Sequence, residues 1–198
     1  MNKYIKTAVL SFVLLFAAGQ IYAMAPQWKI DPAHSGIHFS VQHILSKTHG
    51  FFGDFEGTTY FDPDNLGGSS FHFTVQVKSV NTNNRKRDGH LRSGDFFSAK
   101  EYPVMTFKST RITHKQGNQY VMEGKMTVKD VTKSVTIPFT FFGTQDNPFN
   151  PKESVAGFEA RFTIDRLAYN VGNGKFLKMG VVGKDVDVVI STEMTRKK

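Results

Sequence analysis

The chain has 198 residues, enough for one domain with a sizeable core, and it contains no cysteine. Disulfide bonds, thiolate metal sites and thiol nucleophiles are therefore excluded. Lys and Arg outnumber Asp and Glu by 25 to 17, a formal net charge of +8 at pH 7. This charge suits either solubility or contact with anionic lipid head groups.

The first 23 residues predict a secretory signal peptide. Lys3 and Lys6 form a basic start, and residues 8–18 form an apolar run that is followed by Ala23, a small residue suited to cleavage. The run is shorter than the roughly 20 residues that a membrane-spanning helix needs, so an uncleaved anchor is the weaker interpretation. Residues 24–198 are then the mature protein, in one domain. No nucleic-acid partner is expected of an exported chain without a binding motif.

Apolar and polar residues alternate along most of the mature chain. Alternation with a period of two predicts half-buried antiparallel strands. Eight segments show it, five clearly (36–45, 69–80, 134–142, 156–165 and 184–194) and three weakly (53–61, 104–113 and 120–128). Eight such strands with short links predict an all-β sandwich or a closed barrel.

Residues 83–93 interrupt this alternation. Arg87 and His90 have helical spacing, and Asp88 lies four residues before Arg92, which is a favourable acid-to-base pair on a helix. We therefore expect a helix of one to two turns between the third and fourth strands, where it could cover one end of a barrel.

The chain contains 19 Phe and one Trp, and most of the Phe lie on the apolar strand faces. Eight strands enclose a space that side chains can fill or that one small ligand can occupy. The pattern leaves both alternatives open. If a cavity is present, we expect the inward-facing residues to line it: Phe39, Val41, Phe73, Val75, Phe139, Phe141, Phe158 and Phe162.

The polar residues near the insert also allow more than one interpretation. Asp88 and His90 cannot work as a catalytic pair on a helix, because residues two apart point in nearly opposite directions. The opposite charges of Asp88, Arg92 and Asp95 favour a salt-bridged structural clasp. A head-group contact by Arg87, His90 or Arg92 is the alternative.

The histidines give no clear metal site, because His34 and His38 share strand parity whereas His43 has the opposite parity. His43 lies on an apolar strand face, where it is either a hydrogen-bonded core residue or a polar group that meets a ligand. An enzyme such as a hydrolase that uses His43 or His90 with distant partners is the alternative function.

Five ordered stretches of the chain are similar to motifs of one known family. They are IDPAHSGIHFSVQH (30–43), GDFEGTTYFDP (53–63), RDGHLRSGDFF (87–97), YPVMTFKST (102–110) and AGFEARFTIDR (156–166). Together they resemble the YceI-like family of periplasmic polyisoprenoid-binding proteins, and the resemblance covers nearly all of the mature chain. It implies a lipocalin-like, eight-stranded antiparallel barrel with a helical insert, located in the periplasm.

The resemblance also implies a function. The barrel is expected to hold the long tail of an isoprenoid lipid, a polyprenyl phosphate or a quinone, with no cofactor and no established catalytic mechanism. One departure is Phe149, in a segment where family members often carry Trp beside Pro. Three points stay open: whether the polar cluster touches the ligand, whether the chain contacts a membrane surface, and whether it is a homodimer. The motif positions that carry over are Asp31, His34, His43, Arg87, Asp88, His90, Leu91, Asp95 and Phe96.

Overall fold

A computed structural model describes residues 23–198 of the chain. The predicted signal peptide lies outside the described residues except for Ala23, and its cleavage stays a prediction. The described part forms one antiparallel sheet of eleven strands that closes on itself. Among residues 23–198, no helix has the length and apolar character needed to cross a bilayer.

Six strands are short and five are long. The short strands are β1 (Gln27–Ile30), β2 (Gly36–His43), β3 (Ser46–Phe52), β4 (Phe55–Tyr60), β5 (Ser70–Gln76) and β6 (Val80–Asn81). The long strands are β7 (Val104–Gln116), β8 (Gln119–Val128), β9 (Val131–Asp146), β10 (Glu153–Asp165) and β11 (Val182–Lys197).

The short strands join end to end, so the barrel has eight strand positions. β1 and β2 both pair with β11. On their other side, β1 pairs with β4 and β2 pairs with β3. β4 then pairs with β5, and β3 pairs with β6. These three interrupted strands and the continuous β7 to β11 form a closed ring. The predicted eight-stranded, lipocalin-like antiparallel barrel is thereby confirmed.

Local chemistry explains the interruptions. After β1, the Asp31 carboxylate accepts a hydrogen bond from the Ala33 N–H at 2.9 Å, and Pro32 has no N–H to donate to a sheet. Gly53 lies between β3 and β4, and a 3-10 helix, Val77–Ser79, separates β5 from β6. Such breaks let a strand bend, as closure of a barrel requires.

The first predicted strand, 36–45, extends too far. β2 ends at His43, and Ile44 and Leu45 form the turn to β3, with Ile44 at a φ of 50°. Alternation did not predict β3, because its first half is polar and partly exposed.

The predicted insert is confirmed as α1 (Arg85–Arg92), which lies between the third and fourth strand positions. The Asn84 side chain caps it by accepting a hydrogen bond from the Arg87 N–H at 3.0 Å. A second short helix, α2 (Lys175–Lys178), follows a 3-10 helix, Arg166–Tyr169, in the link between β10 and β11.

The two ends of the barrel differ. At one end, here called the packed end, Trp28, Phe61 and Met194 are almost completely buried. The Phe61 ring centroid lies 5.0 to 5.9 Å from the centroids of five other aromatic rings. The other end, here called the helical end, carries α1, α2 and the turn between β2 and β3. Side chains therefore fill the interior at the packed end.

Candidate functional site

A cavity lies inside the barrel, between the packed end and the helical end. Its volume is about 210 Å³. Apolar cavities offer water few hydrogen-bond partners and suit apolar ligands. The residues that line this cavity are apolar apart from five: Thr106, Glu159, Arg166, Tyr169 and Thr192.

Strand alternation builds most of the wall, because every second residue of a strand points inward. On β2 these residues are Ile37, Phe39 and Val41, and on β5 they are Phe71, Phe73 and Val75. β11 continues the wall with Val186, Val188, Ile190 and Thr192.

The structure brings seven of the eight predicted wall residues to the cavity: Phe39, Val41, Phe73, Val75, Phe139, Phe158 and Phe162. Phe141 lies outside the wall. Its ring centroid is 5.0 Å from that of Phe61, so it packs into the packed end. Strand parity correctly places Phe141 inside the barrel, but parity does not show how deep the cavity extends.

Other wall residues were missed by the sequence analysis. Met105, Met122 and Met126 come from β7 and β8, where alternation is weak. Phe97 and Phe96 come from the loop after α1, whose sequence has no apolar period. The family resemblance named Phe96 as a motif position but did not place it in the wall. The Phe residues next to the predicted helical insert were the sequence feature that could have identified this loop as part of the wall.

Arg87 and Asp88 are both tied to Thr82, in the loop before α1. The Asp88 carboxylate is buried and accepts hydrogen bonds from the Thr82 N–H at 2.9 Å and the Thr82 hydroxyl at 2.5 Å. Arg87 Nε donates to the same hydroxyl and Nη2 donates to the Thr82 carbonyl, both at 2.7 Å. These contacts fasten α1 to the loop that precedes it.

The predicted pair between Asp88 and Arg92 is not formed. Arg92 Nη1 instead donates to the carbonyls of Lys78 and Val80, at 3.2 and 3.3 Å. The physical reason is that two Thr82 donors already hold the Asp88 carboxylate. Both residues therefore stabilise the position of α1, each through its own contacts.

His90 packs on the outside of the same cluster. Its Nε2 lies 2.9 Å from Asp95 Oδ2, and its ring centroid lies 5.0 Å from that of Phe96 and 5.8 Å from that of Phe176. Within α1, Leu91 is the residue that lines the cavity. The geometry therefore favours the clasp interpretation over a direct head-group contact.

Neither candidate catalytic histidine faces the cavity. His43 is half-buried at the end of β2, opposite Ser46 and Val182, and is not part of the wall. The Ser93 hydroxyl donates to the backbone carbonyl of His90 at 2.7 Å rather than to its ring. The arrangement therefore does not favour a hydrolase.

Asp31, His34 and Glu193 form a separate group outside the cavity. The His34 ring bonds the Asp31 carboxylate at 2.9 Å, which raises the pKa of His34 and lowers the pKa of Asp31. Ligand atoms of all three residues lie within 4.8 Å of one another, as a metal would require. The hydrogen bond alone accounts for the arrangement of this exposed pair.

Arg166 is the cation that the sequence analysis missed in the wall. It is 6% exposed and donates three hydrogen bonds to backbone carbonyls at 2.7 to 3.3 Å. Burial lowers its pKa, and the neighbouring Asp165 charge opposes this change. Arg166 directly follows β10, whose inward residues Phe162 and Ile164 also line the cavity.

Known proteins share this architecture. A family model described as the YceI-like domain matches residues 28–194. The chain is 37% identical over 188 residues to Protein YceI of Escherichia coli O157:H7, which covers 93% of this chain and 94% of that protein.

Two solved structures are similar as well. BcnA of Burkholderia cenocepacia has a TM-score of 0.74 and 28% sequence identity, covering 83% of this chain and 98% of that chain. A polyisoprenoid binding domain from Saccharophagus degradans, implicated in plant cell wall breakdown, has a TM-score of 0.61 and 14% identity, covering 86% and 98%. At that identity the second likeness shows the fold alone.

Proposed function

Because the chain belongs to the YceI-like family, we propose that it is a periplasmic binding or carrier protein for an isoprenoid lipid, a polyprenyl phosphate or a quinone. The apolar cavity is the observation that carries the proposal. The polyisoprenoid binding domain from Saccharophagus degradans, which has the same fold, also supports it.

Burial of the tail supplies enough free energy for this role. Each buried CH₂ contributes about 0.8 kcal/mol, so three isoprene units, or about fifteen carbons, contribute about 12 kcal/mol before the cost of association. Affinities saturate near −18 to −21 kcal/mol, so roughly half of a long tail is sufficient. Polar contacts are then free to determine which head group is accepted.

We also propose that the helical end makes transient contact with a membrane surface. The turn between β2 and β3 exposes Ile44 by 57% and Leu45 by 95%, and the Ile44 N–H donates to the Val181 carbonyl at 3.0 Å. Met179 lies two residues before Val181 and is 61% exposed, and Lys178 of α2 is also exposed. Apolar residues beside lysine are suited to the surface of an anionic bilayer.

Native mass spectrometry of the protein purified from a bacterial periplasm tests the proposed function. We expect the mass of a chain that begins at Met24, together with a bound lipid that organic extraction identifies as isoprenoid. A protein that carries no lipid, binds neither polyprenyl nor quinone analogues and hydrolyses an ester would contradict the proposal. Light scattering of the same sample shows whether the protein is a monomer or a homodimer, a question that is independent of the ligand.

A further inference from the structure

Arg166 is a polar residue of the cavity wall that has unused hydrogen-bond donors. Its guanidinium donates from Nε to the Gly183 carbonyl at 2.8 Å, from Nη1 to the Val171 carbonyl at 2.7 Å and from Nη2 to the Val182 carbonyl at 3.3 Å. A guanidinium has five N–H groups, so Nη1 and Nη2 each keep one further N–H. A side chain at Gly172 would lie 2.4 Å from Nη1, so the backbone is closely fitted around this group.

The charge of Arg166 has no bonded carboxylate in the part of the chain that the structure describes. The Asp165 carboxylate bonds Lys184 at 3.3 Å, and Glu159, which lines the cavity further along β10, bonds Arg161 at 2.7 Å. Because a guanidinium stays protonated at neutral pH, Arg166 brings a positive charge into the wall. Backbone carbonyls and the nearby Asp165 charge balance it in part, but no carboxylate among residues 23–198 is hydrogen-bonded to it. A buried charge is costly unless it is paired, so an anion beside it is favoured.

Tyr169 adds a second polar group to the same place. It lies three residues after Arg166 in a 3-10 helix, a spacing that puts side chains on the same face. Tyr169 is 4% exposed and lines the cavity, and burial raises the pKa of its hydroxyl. Both side chains pack near Phe96, with the Arg166 guanidinium 5.8 Å from the ring centroid.

We propose that Arg166 and Tyr169 form an anion-binding site in the cavity wall, which takes the phosphate head group of a lipid whose tail fills the cavity. The inference rests on the proposed function and selects one of its two ligand classes. A phosphate monoester accepts charge-assisted hydrogen bonds from the remaining guanidinium N–H groups, which a neutral quinone carbonyl accepts more weakly. The α1 cluster is then not the head-group site.

Farnesyl phosphate and farnesol test the site, because they share one tail and differ in the phosphate. We expect the native protein to prefer farnesyl phosphate in calorimetric titrations. Arg166→Gln should reduce that preference by about 10- to 100-fold, the value of one or more charge-assisted hydrogen bonds. Arg166→Lys should retain part of it, because the charge is kept.

Arg92→Gln is the matched control. Arg92 also donates to two backbone carbonyls, but it lies outside the cavity wall. We expect this variant to keep the native preference. Competition with inorganic phosphate shows whether the site binds a lipid-linked phosphate or a free phosphate ion. We expect that inorganic phosphate does not displace farnesyl phosphate. Displacement at millimolar concentration would assign the site to free phosphate instead.

The outcomes distinguish this inference from the proposed function. Binding of neither farnesyl compound contradicts the proposed function itself. Equal affinity of the native protein for both compounds overturns the anion site and leaves lipid binding intact. If Arg166→Gln weakens both ligands alike, the residue is structural and the inference is wrong. If that variant does not fold, the native preference and Arg166→Lys decide the question.

Discussion

Replacing one Phe by Ala at each of two levels of the barrel separates a packed core from a ligand cavity. Phe61→Ala removes a ring from the packed end, where Phe61 is 2% exposed and lies among five aromatic rings. Phe39→Ala removes a half-buried ring from the cavity wall, where Phe52 is its aromatic neighbour, at 5.5 Å between centroids.

The two substitutions should have different costs. Truncating a fully packed Phe lowers the free energy of unfolding by about 3–5 kcal/mol, and we expect Phe61→Ala in that range. Phe39 already lacks packing atoms on its cavity side, so we expect its loss to cost about 1–2 kcal/mol. If Phe39→Ala exposes about 40 Å² of the apolar surface of the tail, the binding free energy weakens by about 1 kcal/mol. This corresponds to a roughly fivefold weaker affinity.

Two measurements on each variant check this difference. Guanidinium unfolding can be followed by the fluorescence of Trp28, the single Trp of the chain, which is buried at the packed end. Lipid must be removed first, because a bound ligand adds to the apparent stability. Titration with farnesol then gives the affinity of each variant for a tail.

The reasoning is refuted if Phe39→Ala costs as much stability as Phe61→Ala and leaves the farnesol affinity unchanged. That result would mean that side chains fill the interior at Phe39. A large loss of tail affinity in Phe61→Ala alone would mean that the tail reaches the packed end, which contradicts the position of the cavity.

The remaining predictions concern the clasp, the exposed ion pair and the membrane contact. Asp88→Asn should lower the free energy of unfolding by about 1–3 kcal/mol, because the carboxylate holds two Thr82 donors, while farnesol affinity stays unchanged; denaturant unfolding and titration check this. NMR should find the pKa of His34 raised above its ordinary 6.5, and Asp31→Asn should lower it toward that value, with the Glu193 charge still raising it. Because the folded pKa is raised, the contribution of His34 to stability is full below pH 6.5 and is lost as the pH rises through the folded pKa. Leu45→Asp should weaken sedimentation with vesicles that contain anionic lipid, and unchanged sedimentation would exclude this turn as the contact.

Alternation predicted the barrel and most of its wall because both depend on the same period of two. Inward residues such as Phe73 and Phe158 follow directly from it, and the interruption at 83–93 correctly predicted α1. The period fails where local polarity dominates, as in β3, whose Ser46–Phe52 sequence starts with polar residues. The period also does not show how far along the barrel axis a residue lies. It therefore could not show that Phe141 packs at the packed end rather than in the cavity wall.

The polar contacts were less predictable, because a side chain's partner depends on residues distant in sequence or on the local backbone. Helical spacing suggested that Asp88 bonds Arg92, but the loop before α1 brings Thr82 closer. Arg166 belongs to the motif that resembles the family, yet its carbonyl partners come from the start of β11 and from Val171. A sequence pattern does not show which carbonyls a folded link will present.

The two ends of the barrel would together set the orientation of the proposed lipid. Phe61 and its aromatic neighbours close the interior at the packed end, so a tail has no apolar space beyond them. Arg166 lies toward the opposite end of the cavity, in the link between β10 and β11. A lipid whose tail extends toward Phe158 would therefore keep its head group beside Arg166. On this proposal the apolar wall contacts the tail alone, so selectivity between a phosphate and a neutral head group would depend on Arg166 and its Tyr169 neighbour.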